Sequence, residues 1–275
     1  MHLVSVIIPI YKSHVNDNEV KSLKQCFKIL GSHPIVLVCS KSLNISSYKS
    51  IAAEFHKQLL TERFSDEYFL NIQGYNRLML SLEFYNRFGK FEYILICQLD
   101  AWVFRDELVF WCQKGYDYIG APWFEGWHDA TKESNFIGVG NGGFSLRNVN
   151  KSLEILKRVR LLKLYSITHR IFFIERFISF EKIILWIRVK FKIKNASLVE
   201  RLLMRSGNED FFWTMLVAKT FDDYKVPTLE DAMKFSFENI PSHLYKLNNN
   251  QLPFGCHAWM RYEKDFWQEF IPYET

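Results

Sequence analysis

Apolar residues fall along the first hundred positions in short runs separated by stretches of helical length. Leu3 to Ile10 (LVSVIIPI) and Pro34 to Cys39 (PIVLVC) read as strands buried on both faces. Pro9 ends the first run, where no ladder donor is needed. Glu19 to Leu30 between them is helical and closes on Gly31. Ile51 to Leu60 predicts a second helix, and a third strand is expected within Phe64 to Ile72. Tyr75 to Phe88 sets Leu78, Leu82, Tyr85 and Phe88 at helical spacing and stops at Gly89. Phe91 to Phe104 (FEYILICQLDAWVF) then carries a buried strand over Tyr93 to Cys97, cut off at Gln98-Leu99-Asp100. Strands alternating with helices predict an α/β fold with a mostly parallel, Rossmann-like sheet flanked by helices.

Beyond that point the pattern predicts a short helix over Asp106 to Gly115 and a strand entering a turn over Tyr116 to Trp123. Asn135 to Gly143 follows with glycines at 138, 140, 142 and 143, then a strand over Phe144 to Arg147 and a helix from Asn150. Glycine lets a backbone turn sharply or approach a ligand closely. The spacing is wrong for a dinucleotide fingerprint, so an ordinary tight turn is the other reading. Phe211 to Lys219 is a helix preceded by Asn208-Glu209-Asp210, and Pro253 to Trp259 sets His257 in a glycine-containing loop among aromatics.

Composition narrows the class. Of 275 residues, 48% are apolar and 17% aromatic, enough for a sizeable core and against global disorder. Five cysteines without a C-x-x-C suggest buried thiols in a reducing compartment. Ser5 and Pro9 interrupt the first apolar run, so it does not read as a leader, and no uncharged stretch nears the ~20 residues needed to span a bilayer. A cytoplasmic protein, at most peripheral to a membrane, is expected.

The net charge of +5 is unevenly spread. Residues 151–205 hold fourteen Lys or Arg against four Glu, while the other 220 residues are net −5. Within that segment Ile171 to Ile193 is apolar but studded with Arg176, Lys182, Arg188, Lys190, Lys192 and Lys194. An amphipathic helix fits poorly, and Val189 to Lys194 alternates like a strand. Basic and apolar together suit an anionic membrane surface, faced by Lys190, Lys192 and Lys194. The alternative is a solvated helical hairpin with lysine stems over apolar surface. No nucleic-acid motif accompanies the charge, so nucleic acid is not an expected partner.

Several residues carry candidate chemistry. Asp100 stands at the carboxyl end of a buried strand, where open α/β sheets place ligands, and its apolar flanks call for a partner such as a metal ion. A helix cap or a salt-bridged core Asp would look the same. Glu209 and Asp210 open a helix, where the dipole keeps a carboxylate ionised; capping alone would also explain them. A lone His such as His257 is more often structural than a ligand, and Cys256-His257 lacks the second pair of a zinc site.

In order, these stretches resemble the GT-A class of nucleotide-sugar glycosyltransferases, and more closely the transferases of bacterial lipopolysaccharide and capsule polysaccharide gene clusters. The matching stretches are GYNRLMLSLEFY, YILICQLDAWVF, YDYIGAPWF, GNGGFSLRNV, NEDFFWTML and PFGCHAW. The resemblance implies a GT-A-like fold divided into a nucleotide-sugar part over 1–150, a basic, largely helical insertion over 151–205, and an acceptor-side part over 206–275. It implies a metal, Mn²⁺ ahead of Mg²⁺, held by Asp100 and His257. Gln98 stands where the class has the first acid of D-x-D, which leaves one carboxylate there. Pro9, Tyr11, Gln98, Asp100, Asn76, Arg77, Gly142 and Gly143 would face the donor, with Asn76 and Arg77 at a helix start near the diphosphate. Asp210, with Glu209 beside it, would be the general base of an inverting transfer. The expected donor is a UDP-sugar and the acceptor a lipid-linked oligosaccharide or a surface polysaccharide. A non-catalytic nucleotide- or carbohydrate-binding relative is the rival reading.

Overall fold

The computed structural model describes residues 2–172, 186–205 and 207–272. Its centre is a six-stranded sheet in the order β3-β2-β1-β4-β9-β6. β1 (His2–Pro9), β2 (Ile35–Ser40), β3 (Leu60–Phe64) and β4 (Phe91–Cys97) are mutually parallel, while β9 (Phe144–Asn148) runs antiparallel to both β4 and β6 (Tyr118–Ile119). The mostly parallel sheet flanked by helices is therefore what the chain forms.

Alternate strand residues feed two cores, which is why apolar residues occupy consecutive positions in these runs. Val6, Ile8, Leu37, Cys39, Leu95 and Cys97 face one cluster with α1 (Asp17–Leu30), α2 (Ser46–Glu54) and α5 (Leu108–Gln113). Ile7, Val36, Val38, Ile94 and Ile96 face the other, with α3 (Ile72–Met79), α4 (Leu82–Arg87) and α6 (Val149–Phe172). Each such side chain, fully buried, contributes about 1.5–3 kcal/mol. All five cysteines are buried and unpaired. A third cluster packs Trp102, Phe237, Cys256, Trp259 and Trp267 around a small sheet of β5 (Trp102–Val103), β10 (Ser236–Phe237) and β11 (Gly255–Cys256).

Three elements differ from the pattern. The third strand is Leu60–Phe64, earlier than the Phe64–Ile72 window, and it takes the end of the expected Ile51–Leu60 helix. It is the sheet's edge strand, mostly half-buried, so its apolar signal is weak. The single helix expected over Tyr75 to Phe88 is two, because Ser81 caps α4 by accepting from Phe84 N at 3.0 Å. The Val189–Lys194 alternation is not a strand: residues 186–190 are helical, Lys192 is left-handed (φ 51°), and one bridge joins Ile193 to Phe221.

The basic segment is anchored at both ends. Ile155, Leu156, Val159, Leu162, Phe191, Ile193 and Leu202 all belong to the second core. Arg176, Lys182 and the 173–185 part of the apolar run lie outside the described residues. Among the described residues no helix is long and apolar enough to cross a membrane.

Candidate functional site

Asp100, Glu238 and His257 each lie just beyond a paired strand, so strand register sets their positions. β4 ends at Cys97, and Ala101 N donates to Gln98 O at 3.0 Å, a tight turn that lifts Asp100 out of the sheet. The chain re-enters as β5, where Trp102 pairs antiparallel with Cys256 of β11. The residue after Cys256 is His257, which this pairing carries to Asp100. Phe237 of β10 pairs with Cys256 as well, so the next residue, Glu238, also reaches the imidazole. Cys97 pairs with Phe144, and Gln98 N donates to Gly143 O at 2.8 Å, which brings the glycine turn alongside.

His257 is the hub. Its Nε2 lies 3.1 Å from Asp100 Oδ1 and 3.2 Å from Gln98 Oε1. Its Nδ1 lies 3.1 Å from Glu238 Oε1 and 3.0 Å from Asn141 Nδ2. Asn141 is held by its own turn, since Oδ1 accepts from Gly143 N at 2.7 Å and Phe144 N at 3.3 Å. Burial works against the imidazolium, but Asp100, by charge and hydrogen bond, and Glu238 behind it push the His257 pKa up to about 10. Burial likewise raises the Asp100 carboxyl, and His257 outweighs it, so the net direction is down. The Asp100 side chain remains 50% exposed and open to the cleft.

Both glycines on this turn are required by close approach. A Cβ on Gly143 would lie 2.0 Å from His257 Nε2, and one on Gly142 would lie 2.2 Å from Glu209 Oε1.

The helix carrying Asn208-Glu209-Asp210 runs as Glu209–Phe211, widens to π geometry over Phe212–Val217 and closes with Ala218–Thr220. Asp210 Oδ2 accepts from Gly142 N at 3.2 Å, which ties the helix start to the glycine turn. Burial raises the Asp210 pKa, with Glu238 adding to it. Desolvation thus works against the ionisation that a helix start favours. Glu209 does not face the cleft. It is buried in a two-pronged ion pair with Arg147, at 2.8 Å on each oxygen, and Arg147 also donates to Gly142 O and Ser145 Oγ. Both Glu209 oxygens are thus engaged by Arg147.

Asn76 and Arg77 are also corrected. α3 begins after its cap at Asn71, so both lie in its last turn rather than at a helix start. Asn76 Oδ1 accepts from Glu209 N at 3.2 Å and Nδ2 donates to Asn208 at 3.1 Å, so this side chain braces the Asp210 turn. Arg77 is exposed.

Beside Asp100 a cavity of about 390 Å³ opens between the ends of β1 and β4, lined among others by Pro9, Tyr11, Tyr75, Gln98 and Asp100. Tyr11 stands 66% exposed at its rim, and Gln98 Nε2 donates to Tyr75 Oη at 3.3 Å across its floor. Sequence reading missed Glu238, Asn141, Arg147 and Tyr75. Only Arg147 left a signal there, as the one charge in its strand.

Among the described residues no three His, Cys, Asp or Glu side chains converge as a ready-made metal cage. The donors at hand still suit a divalent ion. Two ligands at right angles, each about 2.1 Å from an ion, lie about 3 Å apart, as Asp100 Oδ1 and His257 Nε2 do. A cation there would take the place of the Nε2 proton, while Nδ1–H stays on Glu238, the usual arrangement of a metal-binding imidazole. Substrate oxygens and water would have to complete the shell.

A family model described as "protein of unknown function (DUF5672)" matches residues 58–257, from just ahead of β3 through His257. The chain belongs to this family. Thus the DUF5672 match includes Asp100, the glycine turn, Asp210 and Glu238, while Pro9 and Tyr11 lie outside it. No curated protein matches the chain. Among solved structures it is similar to the glycosyltransferase GlyE of Streptococcus pneumoniae TIGR4, at 12% identity and a TM-score of 0.48, over 100% of this chain and 61% of that one. It is also similar to core-mannan synthase A (CmsA/Ktr4) of Aspergillus fumigatus in its Mn/GDP form, at 9% identity and 0.41, over 57% and 63%. A third is the S. cerevisiae mannosyltransferase Ktr4p in complex with GDP, at 10% and 0.32, over 45% and 41%. The chain spans less than two thirds of the length of these structures. At such identities and scores, the likenesses say nothing about the donor, acceptor or catalytic residues of this DUF5672 member.

Proposed function

We propose that the chain is a metal-assisted, inverting glycosyltransferase of GT-A type, moving a sugar from a UDP-sugar to a lipid-linked oligosaccharide. The observation that carries this is the meeting of Asp100 and His257 at 3.1 Å beside the cavity at the carboxyl ends of β1 and β4. In this reading Pro9, Tyr11 and Tyr75 enclose the nucleoside, and Gln98 hydrogen-bonds a ribose hydroxyl. Asp100 and His257 would hold the cation, Mn²⁺ ahead of Mg²⁺ because one ligand is an imidazole. When bound, the cation would neutralise the departing diphosphate. Gly142 and Gly143 would let the donor sugar approach the backbone. Asp210 accepts the proton as the acceptor oxygen bonds to the sugar's anomeric carbon, whose bond to the diphosphate oxygen breaks with its electron pair. Burial suits Asp210 to this, because a carboxylate with a raised pKa is a stronger base.

Asp100→Ala is expected to abolish Mn²⁺-dependent UDP binding, and His257→Ala to weaken it strongly. Glu238→Gln should weaken it by about 10–100-fold, as losses of such orienting partners do. Calorimetry with wild-type affinity in both the Asp100 and His257 variants would overturn the metal corner. Incubation with a panel of nucleotide sugars separates enzyme from binding protein: binding without turnover favours the non-catalytic relative, which the single carboxylate at Gln98-Leu99-Asp100 also suits.

The acceptor reading is supported by the basic segment. Trp186, Val189 and Met204 are exposed there among exposed Arg188, Lys190, Lys194 and Arg201. Lys190 Nζ lies 4.3 Å from the Trp186 ring centroid, an indole–ammonium pair suited to a membrane interface. Lys192 is engaged differently, 3.3 Å from Asp223, a carboxylate shared with Lys151 and Arg158. The test therefore spares it. Joint Lys190→Glu and Lys194→Glu should lower binding to phosphatidylglycerol vesicles by on the order of tenfold or more, at about 1 kcal/mol per lysine. Equal sedimentation of both forms, or no binding by wild type, would leave the solvated-hairpin reading.

A further inference from the structure

An exposed aromatic turn stands beside the segment that carries Asp210. Trp127 follows Gly126 after β7 (Pro122–Phe124) and is 40% exposed. Its backbone is left-handed, with φ 52°, a conformation that bulky residues avoid. A core does not need an indole held outward at that cost in strain, and such outliers cluster at binding sites.

Its neighbours belong to the candidate site. The Trp127 ring meets Trp123 edge-on, with centroids 5.0 Å apart, and lies 6.2 Å from Phe211, the residue after Asp210. Trp123 in turn packs against Gly140, at the start of the glycine turn. From the other side, Asn239 Nδ2 donates to Trp127 O, and Asn239 follows Glu238 in the chain. His128 hydrogen-bonds Tyr262, with their rings stacked at 16°, and Tyr262 lies a few residues beyond His257. The turn is thus tied to the three segments that present Asp210, Glu238 and His257.

We infer that Trp127 is a stacking floor for a pyranose ring of the acceptor. One face of a pyranose can carry only C–H bonds, whose positive hydrogens suit the negative face of an indole, while its hydroxyls stay at the rim. A ring seated there lies beside Phe211, the residue next to Asp210 in the chain. Calling that ring the acceptor rests on the transferase reading; the sugar site itself does not.

The test uses the full chain labelled with ¹⁵N at tryptophan, in which Trp127→Phe identifies the Trp127 indole resonance. Methyl glucoside, methyl galactoside and methyl N-acetylglucosaminide are titrated at tens of millimolar, with UDP and Mn²⁺ binding measured in parallel. At least one glycoside should shift that resonance. Trp127→Ala should weaken its binding tenfold or more, Trp127→Phe should retain part of it, and UDP affinity should stay at wild type in both. No shift with any glycoside, or equal affinity in Trp127→Ala, overturns the proposal. A shift without UDP binding by wild type would support the sugar site and overturn the transferase reading instead.

Discussion

Glu209→Ala is expected to destabilise the protein by about 3–5 kcal/mol, the usual cost of stranding one partner of a buried ion pair. Arg147 is buried with both prongs on Glu209, so removing the carboxylate leaves an uncompensated guanidinium in the core. That is a large fraction of the 5–15 kcal/mol by which folded domains are stable. Urea denaturation should show it as a midpoint lowered by about 1 M or more, at a slope near 3 kcal/mol/M. Replacing both partners, Arg147→Met with Glu209→Leu, should recover much of the loss, because apolar substitutes leave no charge stranded. A midpoint unchanged in Glu209→Ala would refute the pairing, and an unrecovered double variant would mean that Arg147's bonds to Gly142 O and Ser145 matter more than the ion pair.

Asp210→Asn should lower sugar transfer by roughly 10²–10⁴-fold, the range of general-base contributions, while UDP affinity stays near wild type. The side chain keeps its shape and loses its basicity. The pH dependence follows from the direction of its shift. Burial raises the Asp210 pKa, and a protonated carboxyl cannot accept the acceptor's proton. Transfer should therefore fall as the pH drops through that raised pKa, above the ordinary carboxylate range, and the Asn variant should lose this limb. Near-normal kcat in the variant would dismiss Asp210 as the base. Loss of UDP binding would assign it to donor binding or to holding Gly142.

The parts legible in the sequence were those that local pattern controls. Strands β1, β2 and β4 announced themselves because both their faces are buried, so neighbouring positions had to be apolar rather than alternating. β3 hid because an edge strand with half-buried residues has no such constraint. The break between α3 and α4 rests on one capping serine, Ser81, inside an otherwise continuous apolar period. Candidate chemistry was legible where an unusual residue met a strong boundary, as with Asp100 at the end of β4. Glu209 and Asn76 were hard to place because polar side chains on a helix look alike whether they face a cleft or brace it.

The sequence by itself determined the layered α/β architecture, through the period of its apolar residues, and marked Asp100, the glycine turn, Asp210 and His257 as separate points. Only the tertiary structure decided which of them share a site. β5 pairs with β11 and β10 pairs with β11, and those two registers bring the ends at Asp100, Glu238 and His257 to one imidazole. Pairing between strands far apart in the chain is a contest among global arrangements, and no local window contains its outcome. The same holds for the roles of neighbours: one helix start sends Glu209 inward to Arg147 and leaves Asp210 on the glycine turn. A rotation of about 100° per residue separates those fates, and what waits on each side is set by the packed fold.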